Sequence, residues 1–297
     1  MVFPEAFGPI INVILSENSI AFAPKFRKSL REIFPIMVSQ LYNDKVELPL
    51  MTKKLLISVI IPAHNEEAFI ASCLNSLLLQ SLDRKFFEVI VIDNASTDNT
   101  LKIAKKFPVK VIEEKNKSVI LARQKGVDKT KGKIIVSADA DTTYPPGWLE
   151  NIKADFDKNP NLIAVVGWIY YSNAKPLFDM IIGLGQEMNL FFQKYTKRFP
   201  IAYAANFAFK KSTLTEIGGY PQHLVELGDQ QYLLQKFLDI GEVIIDPKVK
   251  CFTSARKTGN VWKNILIYNL WYRLLGYTVN RMTGKKIIGQ APDVRHE

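Results

Sequence analysis

Two carboxylates one residue apart, Asp139 and Asp141 in Lys133-Ile134-Ile135-Val136-Ser137-Ala138-Asp139-Ala140-Asp141-Thr142, have the types and spacing for chemistry. The β-branched run before them reads as a buried strand. Side chains at i and i+2 of an extended chain lie on one side. Just past a strand end, both carboxylates can therefore face one hard cation together with its phosphate ligands. A solvated turn is the competing reading, because Asp is common where strands stop. The surrounding chain has to decide between the two.

From Leu56 onward strand and helix patterns alternate. Leu56 to Ile61, Glu88 to Ile92, Val109 to Glu113 and the run at Ile134 read as strands. Glu66 to Leu79, Thr97 to Phe107 and Ser118 to Lys129 read as the helices between them. This is the period of βαβ units, and continuous Val/Ile runs indicate strands buried on both faces of a parallel sheet. Such sheets bind ligands in the crevice beyond the carboxyl ends of their strands. Three polar clusters fall there: Ile61-Pro62-Ala63-His64-Asn65-Glu66, Asp93-Asn94-Ala95-Ser96-Thr97-Asp98 and Asp139-Ala140-Asp141.

Ser58 to Glu67, Val89 to Thr100 and Asp139-Ala140-Asp141, taken in order at successive strand ends, resemble the family 2 glycosyltransferases of the GT-A fold. The resemblance covers roughly residues 56 to 256. It implies a Rossmann-like, mostly parallel α/β sheet flanked by helices, a nucleotide-sugar donor and a divalent metal, Mg²⁺ or Mn²⁺. It further implies, as is usual in the family, inversion at the anomeric carbon. By the same resemblance Pro62, Ala63, Asn65, Glu66 and Asp93 wall the base and ribose of a UDP- or GDP-sugar, a task that suits acceptor groups. The bland role for Asn65 and Glu66 is a helix N-terminus, and Ser96 and Asp98 are taken as mostly structural. Arg123 matches a family position near the nucleotide, although Lys117-Ser118 stands where glycine is common. Asp139 and Asp141 would hold the metal against the diphosphate.

Further along, Ala204 to Lys210 with Ile217-Gly218-Gly219-Tyr220 resembles the segment that shapes the sugar and acceptor pocket, placing Asn206 and Gly219 there. Asp229 stands at the family's general-base position, but Gly228 replaces the acidic neighbour usual before it; Glu226 is a rival or substitute partner. Val249 to Lys257, after a strand read as an edge strand, resembles the family's Thr-Ser-Ala-Arg loop, in which Arg256 could clamp the diphosphate. The Gln-x-x-Arg-Trp signature of processive synthases does not occur, so one sugar per encounter is expected. Pro176 to Arg198 reads as a long, unusually apolar helix that flanks the acceptor, lies against lipid or is plain core.

Composition bounds the rest. The 297-residue chain is 47% hydrophobic and 23% charged, ordinary for globular protein. Cys73 and Cys251 give no disulfide framework and no metal-ligand spacing, and His64, His223 and His296 fit no ligand pattern. A cytoplasmic protein is expected, without signal peptide or membrane span. The net charge of +10 concentrates between Pro247 and Pro292, where nine Lys or Arg face no Asp or Glu, interleaved with Trp262, Tyr268, Trp271, Tyr272 and Tyr277. Such a segment suits the cytoplasmic face of a membrane better than nucleic acid. Three parts are therefore expected: an accessory extension over 1–50, a transferase domain over 51–258, and a basic, aromatic C-terminal amphipathic helix and tail over 259–297. The acceptor would be a glycan, lipid-linked in the membrane-docked case. Two other functions compete. A catalytically inactive nucleotide-sugar-binding or membrane-tethering protein would explain Gly228, while a sugar nucleotidyltransferase would need a glycine-rich loop after the first strand, where Pro62-Ala63-His64-Asn65 stands.

Overall fold

The computed structural model of the protein describes residues 56–199, 201–222, 224, 226–258, 279 and 282. The expectations for 1–50 and 259–297, including the basic aromatic segment, lie outside the described residues, as does the side chain of Glu226.

Eight strands form one sheet in the order β3-β2-β1-β4-β7-β6-β8-β5. They are β1 (Ile57–Ala63), β2 (Phe87–Asn94), β3 (Lys110–Glu114), β4 (Ile134–Ser137), β5 (Thr142–Thr143), β6 (Leu162–Ser172), β7 (Phe207–Lys210) and β8 (Glu242–Ser254). The run β3-β2-β1-β4 is parallel, β7 is antiparallel to both β4 and β6, β6 and β8 are parallel, and β5 closes the far edge against β8. The helices are α1 (Ile70–Leu78), α2 (Thr100–Ala104), α3 (Val119–Asp128), α4 (Trp148–Lys158), α5 (Pro176–Thr196), α6 (Lys211–Glu216) and α7 (Glu226–Ile240). This mixed, mostly parallel sheet flanked by helices is the architecture the strand and helix alternation implies.

Every residue of β1 is buried, which is what a central strand covered on both faces requires. Alternate residues feed opposite layers. Ile57, Val59 and Ile61 pack with α1 and α4, whereas Ile60 packs with α3 and α7. Helix α3 starts at Ser118, whose hydroxyl accepts from Leu121 N at 3.4 Å. A methyl on Gly126 would lie 2.7 Å from Ile92, so this glycine sets how closely α3 approaches the sheet. Because β1 has β2 on one side and β4 on the other, the order in which strands are added switches sides there, and the crevice opens beyond their carboxyl ends.

Several boundaries differ from the sequence expectation. The helix expected from Glu66 begins at Ile70, and the one expected over Thr97 to Phe107 shrinks to Thr100–Ala104. In both cases the residues lost to the helix serve a clasp between the two loops. Asn65 Oδ1 accepts from Thr97 N at 2.8 Å, Asp98 accepts from Thr100 N at 2.9 Å and Glu67 N at 3.1 Å, and Glu66 N donates to Thr100 Oγ1 at 2.7 Å. Asn65 and Ala95 take left-handed backbone to make these turns, at φ 52° and 57°. The strand before the Thr-Ser-Ala-Arg loop is also no edge strand, since β8 lies between β6 and β5.

One carboxyl outside the crevice titrates unusually. Burial, then the neighbouring charge of Asp246, raises Asp155 on α4 to about 6. Its folded value lies above the unfolded one of about 3.9, so the native state holds this proton more tightly. Its contribution is fully present below the unfolded value and is lost as pH rises towards 6. Asp155→Asn is therefore expected to melt higher than wild type at pH 7.5, with the advantage fading by about pH 4. An equal difference in melting temperature at both pH values would contradict the assignment.

Candidate active site

The crevice beyond β1, β2 and β4 gathers four carboxylates and two guanidiniums. Asp139 and Asp141 follow β4 and are separated in environment: the Asp139 side chain is 33% exposed and that of Asp141 only 6%. Tyr144 holds the loop in place. Its hydroxyl accepts from Asp139 N at 3.0 Å and donates to Ala205 O at 3.1 Å, with its ring against Trp148 at 4.0 Å. Asp141 Oδ1 accepts from Thr253 Oγ1 at 3.5 Å, and its backbone oxygen accepts from Ser254 N at 3.1 Å. Neither Tyr144 nor Thr253 stands out in the sequence as a positioning residue, because Ala205 is 61 residues from Tyr144 and Asp141 is 112 from Thr253.

Each arginine bridges two carboxylates. Arg256, in the turn after β8, donates through Nη2 to both oxygens of Glu66 and to Asp141 at 3.1 Å, and its guanidinium lies 4.4 Å over the Phe69 ring. Burial works against its charge, but the hydrogen bond and attraction of Glu66, with Asp141, outweigh it and hold the guanidinium above its ordinary value. Arg123, from α3, donates to Asp229 at 2.6 Å and to Asp139 at 3.5 Å. Both Arg123 and Asp229 are sealed, at 1% and 0% exposure. Gln230 Nε2 adds a bond to Asp229 at 3.1 Å.

These contacts redistribute the expected roles. Glu66 is bound to Arg256 rather than offering a free acceptor, and the Asn65 side chain belongs to the loop clasp. Asp229 pairs with Arg123. Asn206 is engaged by the fold: both its amide hydrogens go to backbone oxygens, of Trp168 at 2.8 Å and Val249 at 2.9 Å. Its oxygen accepts from Trp148 Nε1 at 2.8 Å. It ties α4, β6 and β8 together with no donor left for a sugar, and Gly167 is required beside it because a methyl there would meet Asn206 and Val249 O at 2.2 Å. Gly219, at φ 86°, lets Tyr220 N reach Gln124 Oε1 at 2.8 Å, so it docks a turn onto α3.

Asp93 keeps a spare acceptor. It sits at the end of β2 in register with Ala63 of β1, at 4% exposure. Oδ2 accepts from Ser96 N at 3.4 Å, while Oδ1 is buried with no hydrogen-bond partner among the described residues. A buried carboxylate oxygen left over in this way awaits a donor from outside the fold. Cys73 and Cys251 are free, buried beside the aspartates, and held as thiols by burial and by those charges.

Among the described residues this cluster sets four carboxylates, with Asp93 a fifth nearby, against two guanidiniums. Among the described residues no group of three or more His, Cys, Asp or Glu forms a complete metal cage. Mg²⁺ and Mn²⁺ need none, since one or two carboxylates plus substrate phosphates complete their shell. Oxygen-only donors in which carboxylates outnumber guanidiniums thus fit a divalent cation that arrives with a diphosphate.

The chain matches the model described as Glycosyl transferase family 2 over residues 58–218. It is 27% identical over 183 residues to glycosyltransferase AglE of Haloferax volcanii, an alignment that spans 58% of each chain. Among solved structures, the mannosyltransferase PcManGT from Pyrobaculum calidifontis, in complex with GDP-Man and Mn²⁺, superposes with a TM-score of 0.58 at 22% identity. That match covers 88% of this chain and 73% of that one. S. aureus TarS 1–349 in complex with UDP-GlcNAc gives 0.53 at 20% identity, covering 67% and 58%. At such identities these likenesses concern the fold, which is GT-A. The family match runs from β1 through the aspartate pair to the paired glycines, more than half of the chain, and the chain belongs to glycosyl transferase family 2.

Proposed function

We propose that the protein transfers one sugar per encounter from a UDP- or GDP-sugar to an acceptor hydroxyl, with inversion and with a divalent metal. The observation that carries this reading is the negative cluster at the switch point of the sheet, beside the spare buried oxygen of Asp93. In this reading Asp93 Oδ1 takes a donor hydrogen of the nucleotide base, and the backbone of Pro62 and Ala63 forms the adjoining wall. Asp139 and Asp141 would hold Mg²⁺ or Mn²⁺, which neutralises charge on the departing nucleoside diphosphate. Arg256, charged and already placed between the first and third loops, adds guanidinium donors to phosphate oxygens. The acceptor oxygen attacks the anomeric carbon as its bond to the diphosphate breaks, and the electron pair of that bond leaves with the phosphate. The acceptor proton passes to Asp229 as the general base. The acceptor is a glycan, in our reading lipid-linked at the cytoplasmic face of a membrane.

A second role for Asp229 is favoured by its complete burial and its bond to Arg123. As an anchor it would hold Arg123 against Asp139 and touch no acceptor. The two roles separate by experiment, as argued in the Discussion.

Donor binding is the first test. With Mn²⁺, a matching nucleotide sugar at a hundred times its Kd should stabilise the native state by about 2.7 kcal/mol. Asp141→Asn is expected to abolish the Mn²⁺-dependent part of that shift. Calorimetric donor affinity unchanged in the folded variant would overturn the metal assignment.

A further inference from the structure

The longest helix among the described residues, α5, turns a stripe of large apolar side chains outward. Over its 21 residues α5 buries only Gln186 and Asn189. Leu177, Met180, Leu184, Met188, Phe191 and Tyr195 are exposed, Leu184 to 62%. Their spacing in steps of three and four makes one continuous stripe along about 30 Å of helix. A helix lying on a soluble fold normally turns that stripe inward. Its rotation here is fixed by polar ties on the opposite side. Gln186 brackets Ile169, accepting from its N at 2.8 Å and donating to its O at 3.1 Å; Asn189 donates to Ile201 O at 3.1 Å; Gln193 accepts from Ile245 N. Turning the stripe into the core would break all of these and bury the three amides against apolar side chains. Among the described residues, then, α5 packs one side on the core and leaves the stripe uncovered.

We propose that α5 docks on an anionic lipid surface, lying in its plane with the stripe in the acyl-chain boundary. No helix among the described residues is long and apolar enough to cross a membrane, so α5 would lie on it. A stripe of Leu, Met, Phe and Tyr on one side of a helix, with polar residues on the other, is the form that binds interfaces. Here the protein itself covers the other side, where Ile182 and Leu190 pack on the core beside the buried amides. Charge selects the partner. Lys175 to Arg198 holds four basic residues against two acidic, Lys175 and Lys194 with Lys197 bracket the two ends of the stripe, and the chain carries +10. Two copies facing each other across this stripe would bring like charges together, whereas anionic headgroups would meet opposite ones. The inference goes beyond the transfer reading and does not depend on it, because docking needs no donor.

The test uses the full chain labelled at Leu184→Cys with an environment-sensitive fluorophore. Cys73 and Cys251 are buried, which directs the label to the helix. Vesicles of mixed phosphatidylcholine and phosphatidylglycerol should blue-shift the emission, pure phosphatidylcholine much less, and lipids brominated along the acyl chain should quench it. In sedimentation with the mixed vesicles, Met188→Glu/Phe191→Glu should bind on the order of 100-fold more weakly than wild type, with unchanged melting temperature. Four results would each overturn the proposal. They are no shift with the mixed vesicles, an equal shift on both lipids, a concentration-dependent shift without lipid that reports self-association, and a label already shielded at every concentration that reports cover by the chain's own remaining residues. None of these bears on nucleotide-sugar binding.

Discussion

Asp229→Asn is expected to transfer sugar about 10²–10⁴-fold more slowly than wild type while binding the donor with the same affinity. An acceptor hydroxyl is a weak nucleophile near neutral pH, and a carboxamide cannot take its proton. The variant keeps the size of the side chain and one acceptor oxygen towards Arg123, which bonds Asp229 at 2.6 Å. Asp139, the more exposed of the two aspartates after β4, keeps its own place through Tyr144. Donor affinity should thus survive if the carboxylate serves as base. If Asp229 is only an anchor, the outcome differs: Arg123 loosens, Asp139 loses its guanidinium partner, and donor affinity falls along with turnover. The acid limb of the rate profile separates the two further. A base gives a wild-type limb that disappears in Asp229→Asn, whereas an anchor leaves the limb and lowers the whole profile. Near wild-type turnover in Asp229→Asn with an inactive Glu226→Gln would move the base to Glu226. A product of retained anomeric configuration would remove the single-displacement mechanism.

What the sequence made legible follows from the range of each interaction. The strands β1, β2 and β4 announce themselves because burial on both faces demands unbroken Val/Ile runs, and Asp93, Asp139 and Asp141 announce themselves because they stand at the ends of those runs. The ion pairs do not. Glu66 and Arg256 are 190 residues apart and Arg123 and Asp229 are 106 apart, and no local pattern encodes such partners. The sequence therefore sets Arg256 against the diphosphate and Arg123 near the nucleotide, when in this structure each of these two guanidiniums is first a bridge between carboxylates. The structural partners of Asn206 are hidden from the sequence for the same reason, coming from α4, β6 and β8. Helix α5 shows the limit of periodicity itself. The spacing of Leu177, Met180, Leu184 and Met188 reveals a stripe, but which side faces inward was decided by Gln186, Asn189 and Gln193 finding backbone partners on β6, on β8 and just before β7.

Arg123→Met is expected to lower the unfolding free energy by about 3–5 kcal/mol, the usual consequence of breaking a buried ion pair from one side. The methionine fills most of the volume of the arginine stem, so the loss would come from charge rather than from a cavity. Asp229, at 0% exposure, would lose its guanidinium while keeping the bond from Gln230 at 3.1 Å, and could not recover water without opening the start of α7. Burying a carboxylate without its counter-charge is among the few single changes with so large an effect. The pair itself need not be so favourable. Removing both charges in Arg123→Met/Asp229→Leu should recover much of the loss, because the desolvation of two ions disappears with them. Arg123→Lys should recover little, since an ammonium cannot reach Asp229 and Asp139 through two separate nitrogens as the guanidinium does. Urea unfolding of the four proteins measures this directly. A single variant within about 1 kcal/mol of wild type, or a double variant no more stable than the single, would mean that solvent reaches Asp229 and that its burial here overstates its isolation.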